Sequence, residues 1–143
     1  MLLRPQKTKF NKFRRSSLAR IESSFKPLRF GRFGLVAQET GLISARQIES
    51  TRQVINRYLK RKGKIWIRIF PDFPMTSKPT EVRMGKGKGA VKSWLCRIRR
   101  GKILFEVDGA PDYVIKEAFA AAKKKLSLKS FILKASWKLN KKA

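Results

Sequence analysis

Apolar residues at helical spacing predict two amphipathic helices. The first is predicted over residues 45–61, where Ile48, Ile55 and Leu59 fall on one face. Ser44 is a suitable N-cap, Gln47 three positions later completes a capping box, and Gly63 predicts the end of the helix. The second helix is predicted over about 111–125, starting at a proline. Its predicted buried stripe consists of Ile115, Ala118, Phe119, Ala122 and Leu126.

The apolar pattern between and beside these helices predicts strands. The clearest strand covers 64–70, with isoleucine at every second position. Two more are predicted over 91–99 and 102–107, joined as a hairpin across Arg100-Gly101. A glycine- and phenylalanine-containing stretch over 25–35 predicts strands or a bent ribbon, and 128–134 a short strand. Three prolines predict a loop over 71–79. This order of elements predicts an α+β domain with two helices packed on a mostly antiparallel sheet.

The net charge indicates the kind of partner. The 143 residues include 36 Lys and Arg against 9 Asp and Glu, which gives a formal net charge of +27. A positive electrostatic field of this size indicates that the partner is a dense polyanion. Nucleic acid is the first candidate, and an anionic membrane surface is the second. There is no histidine and one cysteine, which excludes disulfide frameworks and zinc clusters. No stretch reads as a transmembrane helix.

Basic residues at both ends divide the chain into three predicted parts. These are a basic arm over 1–24, one α+β domain over 25–134 and a basic tail over 135–143. The arm has no acid before Glu22, a pattern typical both of a mitochondrial transit peptide and of a mature arm that orders on a polyanion. The composition of the arm leaves both interpretations open. As a mature arm it would contact RNA phosphates through Lys7, Lys9, Arg14 and Arg15.

The strongest candidate for binding phosphate is the segment over 83–89, called here the glycine–lysine loop. Its glycines permit close approach of a phosphate, and its lysines supply charge at the same place. It is not a P-loop, because no Gly-Lys pair is followed by Ser or Thr. Gly85-x-Gly87-x-x-Ala90 matches a relaxed dinucleotide fingerprint but lacks the strand before it and the helix after it. The alternative without a binding role is a solvated loop that joins two strands. The residues expected to contact RNA are Arg83, Met84, Gly85, Lys86, Gly87, Lys88 and Gly89.

The remaining candidates are weaker. Arg68 alternates with Trp66 and Phe70 on the strand face opposite the isoleucines, so it is a candidate RNA contact, and the two rings are either base stackers or core. Glu106 and Asp108 are spaced so that they could share one strand face and resemble the paired carboxylates of an acid–base site. The simpler interpretation is that they pair with nearby lysines or flank a turn. Cys96 falls on an apolar strand face and is expected to be inert. The sequence therefore predicts no enzyme, no cofactor and no metal site.

Several stretches together resemble one family, large-subunit ribosomal protein sixteen of bacteria and organelles. The matching stretches are PQKTKF over 5–10, SARQIES over 44–50, GKIWIRIFPDFPMTSKP over 63–79, VRMGKGKG over 82–89 and GKILFEVDG over 101–109. The resemblance covers about 5–134 and implies a hammerhead-like β arrangement. It also implies binding to large-subunit ribosomal RNA near the aminoacyl-tRNA site and the peptidyl-transferase centre, with the glycine–lysine loop reaching toward tRNA. Neighbouring ribosomal proteins are implied partners, while no membrane contact and no homo-oligomer are expected.

The resemblance also bears on the arm and on location. Because 5–10 aligns with the start of the mature family domain, we expect no cleavable presequence. The family's glycine-containing basic cluster is replaced over 13–24 by FRRSSLARIESS. Divergence at both ends and the Lys, Ile and Phe bias favour a mitochondrial ribosome, with a plastid or the bacterial cytoplasm as alternatives. The rival function is a free-standing basic nucleic-acid regulator.

Overall fold

The computed structural model describes residues 3–14 and 27–135. Within these ranges the chain forms two helices and seven strands, in two sheets whose strand pairs are all antiparallel. The predicted α+β class is confirmed, with the strands divided between two sheets. Neither of the described helices has the length and apolar content needed to cross a membrane.

Four of the strands form one sheet and three form the other. In chain order the elements are β1 (Phe33–Ala37), β2 (Gly41–Ser44), α1 (Ala45–Tyr58), β3 (Lys64–Ile67), β4 (Phe73–Ser77), β5 (Ala90–Ile98), β6 (Ile103–Asp108), α2 (Asp112–Lys123) and β7 (Ser130–Lys134). The strand order is β3-β6-β1-β7 in the larger sheet and β2-β5-β4 in the smaller. One continuous cluster of buried side chains joins both helices to both sheets.

Helix α1 begins as its sequence predicts and ends differently. The Gln47 N–H donates to Ser44 Oγ at 3.2 Å, and the Ser44 N–H donates to Gln47 Oε1 at 2.9 Å, which confirms the capping box. The left-handed residues after the helix are Lys60 (φ 48°) and Arg61 (φ 62°), not Gly63. Gly63 instead provides space, since a Cβ there would lie 3.1 Å from the Asp108 carbonyl oxygen.

Helix α2 buries nearly the whole stripe predicted for it. Pro111 occupies the N-cap position, and Lys123 is the last helical residue. Ile115 and Phe119 are fully buried in the shared core, whereas Leu126 lies beyond the helix and is partly buried.

The predicted hairpin over 91–107 is wrong. Strands β5 and β6 follow one another but pair in different sheets, β5 with β2 and β4, and β6 with β1 and β3. The turn between them is fastened to β1: the Gly101 N–H donates to the Ala37 carbonyl at 2.8 Å, and the Ala37 N–H donates to the Lys102 carbonyl at 2.9 Å. These contacts direct the chain from one sheet into the other.

The predicted proline loop over 71–79 contains a strand. Pro74 lies within β4, in register with Trp94 of β5. Strand β4 is at the edge of its sheet, where a proline is tolerated because one side of the strand has no ladder partner. Strand β2 is a second element that the apolar pattern did not predict, and β3 ends at Ile67, before the predicted limit of 70.

Candidate nucleic-acid interface

The glycine–lysine loop connects β4 to β5 and is exposed over 83–88. Three consecutive residues, Gly85 (φ 96°), Lys86 (φ 53°) and Gly87 (φ 78°), adopt left-handed backbone conformations. Met84 is 95% exposed. The loop therefore presents backbone, cationic side chains and an apolar side chain to the outside.

The glycines of this loop have two different physical roles. A Cβ at Gly85 or Gly87 would meet no heavy atom within 4 Å, so the positive φ is what favours glycine there. A Cβ at Gly89 would lie 2.5 Å from the Ser77 carbonyl oxygen and 2.7 Å from its carbon. Gly89 thus allows the loop to pass closely over β4 and serves the fold; its contact with RNA stays a prediction.

Replacing Gly89 by alanine is expected to lower the free energy of unfolding by about 1–3 kcal/mol, because the new methyl group overlaps the backbone of β4. Thermal unfolding followed by circular dichroism measures the effect. The matched control is Gly87→Asn, since asparagine tolerates a left-handed conformation and the site is open. Equal melting temperatures for Gly89→Ala and the parent chain would show that the close approach to β4 does not matter.

Lys12 and Phe13, near the end of the described part of the arm, lie against this loop. Lys12 Nζ donates to the Lys88 carbonyl at 2.8 Å, and Lys88 Nζ donates to the Phe13 carbonyl. On the other side, Lys78 Nζ donates to the Gly85 carbonyl. The arm and the loop, far apart in sequence, therefore form one basic surface.

The cations predicted as phosphate contacts in the arm are exposed where they are described. Lys7, Lys9 and Arg14 are exposed. Arg15 lies outside the described residues. Over 3–14 and 27–135, no carboxylate forms an ion pair with these three side chains or with the loop cations. Their charge is thus available to an outside anion. The loop cations are Arg83, Lys86 and Lys88.

Arg68 has a partner inside the protein. Its Nη1 pairs with Oε1 of Glu106, whose side chain is fully buried, and its own side chain is 23% exposed. The other oxygen of Glu106 accepts three backbone N–H groups from 29–31. Sequence reasoning missed this buried carboxylate, which holds the chain entering β1 against β6. A phosphate contact by Arg68 stays a prediction.

The aromatic side chains separate into core and surface. Phe33, Phe105 and Phe119 are buried, as expected for most of the aromatics. Trp66, one of the two predicted candidates for stacking, packs against Phe30 with ring centroids 6.0 Å apart and 17° between the planes. Phe70, the other candidate, is exposed. Phe30 was not predicted as a site residue, and only its exposure in the fold draws attention to it.

Cys96 is buried in β5, and burial raises the pKa of its thiol to about 11. At pH 8 only about one thiol in a thousand is then ionised, and the thiolate is the reactive form. We expect a soluble aromatic disulfide reagent to modify the native chain at least about tenfold more slowly than the chain in guanidinium chloride. Equal rates in the two states would contradict the inert role.

Within the described residues, an α+β core carries an exposed glycine–lysine loop whose cations have no carboxylate partner, a combination typical of nucleic-acid-binding proteins. A model of the family described as ribosomal protein L16p/L10e matches residues 5–133, and the chain belongs to this family. The family predicted from the sequence is thereby confirmed.

Bacterial relatives match nearly the whole chain. Large ribosomal subunit protein uL16 of Aeromonas hydrophila is 49% identical over 134 residues, which cover 93% of this chain and 98% of the relative. The protein of the same name from Rhizobium etli is 46% identical over 129 residues, covering 90% and 94%. That of Agrobacterium fabrum is 45% identical over the same length and coverage.

Proposed function

We propose that this chain is a structural constituent of the large ribosomal subunit and binds ribosomal RNA near the aminoacyl-tRNA site and the peptidyl-transferase centre. Family membership supports the assembly. The observation that carries the RNA contact is the glycine–lysine loop, exposed and left-handed at three successive residues, with cations that no described carboxylate neutralises. The chain acts by neutralising and spacing folded RNA and carries out no reaction of its own.

Two segments of the basic surface, the arm and the glycine–lysine loop, make the RNA contacts. The arm cations Lys7, Lys9, Arg14 and Arg15 contact ribosomal RNA phosphates, while the loop lies at the junction of ribosomal RNA and tRNA and contacts both. The reciprocal bonds between Lys12, Phe13 and Lys88 support a shared site, because they hold the two segments side by side. Arm and loop thus present one surface to two adjoining RNA molecules.

Sedimentation in high salt tests the assembly. A tagged full-length chain expressed in its source cells is expected to migrate with large subunits and to remain there after a high-salt wash, because many simultaneous contacts and burial among RNA helices outlast screening. A chain that stays at the top of the gradient while still binding free RNA would instead be a nucleic-acid regulator.

We further propose that the ribosome concerned is mitochondrial and that the chain enters it as a single copy, with neighbouring ribosomal proteins as its protein partners. The Lys, Ile and Phe bias of the sequence supports this location, whereas the matched relatives are bacterial. Immunodetection in purified mitochondrial, plastid and cytoplasmic ribosomes tests it. Detection only in plastid or cytoplasmic ribosomes would refute the mitochondrial location without affecting the ribosomal role.

A further inference from the structure

A groove of about 480 Å³ runs between α1 and β3, built from elements other than those that carry the glycine–lysine loop. Phe30 and Trp66 line it on one side, and Asn56 of α1 lies on the other. Its volume falls within the range of about 300–1,000 Å³ that is usual for small-ligand sites. The groove is open to the surface and has both aromatic and polar walls.

The aromatic wall is held in a fixed position. The Phe30 ring stacks on Trp66 and remains 48% exposed. The Phe30 N–H donates to the buried Glu106 carboxylate at 2.7 Å, which anchors the backbone directly behind the ring. An exposed ring on an anchored backbone loses little conformational freedom when it binds a partner.

Among the described residues, Lys64 is the one cation of the groove that has no carboxylate partner. Arg52 pairs with Glu49, and Arg68 pairs with Glu106. Lys64 Nζ lies 5.3 Å from the centroid of the Trp66 ring, and no carboxylate of the described chain forms an ion pair with it. Charge complementarity therefore calls for an anion beside the aromatic wall.

We propose that this groove binds one unstacked nucleotide of single-stranded RNA, with its base against the Phe30–Trp66 pair and its phosphate at Lys64. Bases stack on aromatic side chains and phosphates pair with lysine, so a nucleotide satisfies both features of the groove. An acidic peptide would satisfy Lys64 but leave the ring pair exposed. The Asn56 amide offers a donor and an acceptor to the edge of a base. This inference rests on the proposed RNA-binding function and adds a second site to it.

Binding of the full-length chain to a short labelled oligouridylate, measured by fluorescence anisotropy across salt concentrations, tests the groove. Phe30→Leu is expected to weaken binding about tenfold, because one base loses its stacking partner. The dependence of affinity on salt should not change, since no phosphate contact is lost. Lys64→Met should instead reduce the slope of log affinity against log salt by about 0.7.

Two controls separate stacking from other effects. Tyr113→Leu removes a ring that is 67% exposed on α2, outside the groove, and should leave binding unchanged. Phe30→Tyr keeps the ring and should keep the affinity. A thermal melt of each variant confirms that it is folded.

Undiminished affinity of folded Phe30→Leu would overturn the groove site. Oligoglutamate that binds with the same dependence on Phe30 would also overturn it and would identify an acidic-peptide site. If Phe30→Leu keeps its affinity and still enters large subunits, only the groove assignment fails. If the parent chain does not enter large subunits, the proposed function fails whatever the oligouridylate result.

Discussion

Replacing Glu106 by alanine is expected to lower the free energy of unfolding by about 3–5 kcal/mol, the cost typical of breaking a buried charge pair from one side. The carboxylate is fully buried. One of its oxygens accepts the N–H groups of Arg29, Phe30 and Gly31 at 3.1, 2.7 and 2.9 Å, and the other pairs with Arg68. Alanine would leave all of these donors without their acceptor, and the segment over 29–31 would lose its attachment to β6.

Chemical denaturation of the full-length chain measures this loss. Glu106→Gln should be intermediate, since an amide oxygen can still accept from the backbone but no longer pairs with a cation. Glu39→Ala is the control: it removes a partly exposed carboxylate outside the helices, paired with Lys129 at 3.4 Å, and should scarcely move the unfolding midpoint. If Glu106→Ala unfolds at the same midpoint as this control, the carboxylate is not the anchor described above.

Glu106 also shows why part of the fold cannot be predicted from local sequence. The alternation over 102–107 predicts a strand with Ile103, Phe105 and Val107 on its buried face, and the structure confirms both. The same alternation puts Glu106 on the opposite face, together with Leu104. Its burial depends on backbone groups about 75 positions earlier in the chain. A local pattern contains no information about a partner at that distance.

The start of a helix and the pairing of strands also differ in how far the local sequence predicts them. The start of α1 was predictable because Ser44 and Gln47 are three residues apart. The two strands on either side of Gly101 were also predictable as strands, but their pairing was not. That pairing depends on hydrogen bonds from the turn to Ala37, at the end of β1. Sequence proximity alone favours a hairpin.

For the candidate site, composition identified the loop, and the structure distinguished its residues. Alternating glycine and lysine indicated a phosphate contact, but the pattern treats Gly85 and Gly89 alike, although only Gly89 approaches the backbone of β4. Likewise, the pattern contains cations in the arm and in the loop without showing that Lys12 and Lys88 bind each other's segments. Such roles follow from contacts between distant segments.

Removing both loop lysines, in Lys86→Ala with Lys88→Ala, is expected to weaken binding to large-subunit ribosomal RNA strongly and to reduce its salt slope by roughly 1.5. This figure corresponds to about 0.7 to 0.9 for each lost phosphate contact. Both side chains are exposed on the loop, and no described carboxylate competes for them. Affinity for an RNA fragment across potassium chloride concentrations, and chemical protection of the RNA in assembled subunits, measure the effect.

The two lysines should contribute unequally, and this difference tests the geometry of the site as well as its charge. Lys88 also donates to the Phe13 carbonyl, so Lys88→Ala removes one of the two bonds between arm and loop and leaves the bond from Lys12 to the backbone carbonyl of residue 88, whereas Lys86→Ala removes only a cation. Lys88→Ala should therefore cost more affinity than Lys86→Ala. The charge-matched control is Lys124→Ala with Lys125→Ala, beyond the end of α2. If this control loses as much affinity and slope as the loop pair, the loop contributes only to the general field of the protein. Unchanged RNA protection and tRNA binding in the loop variant would remove the assignment altogether.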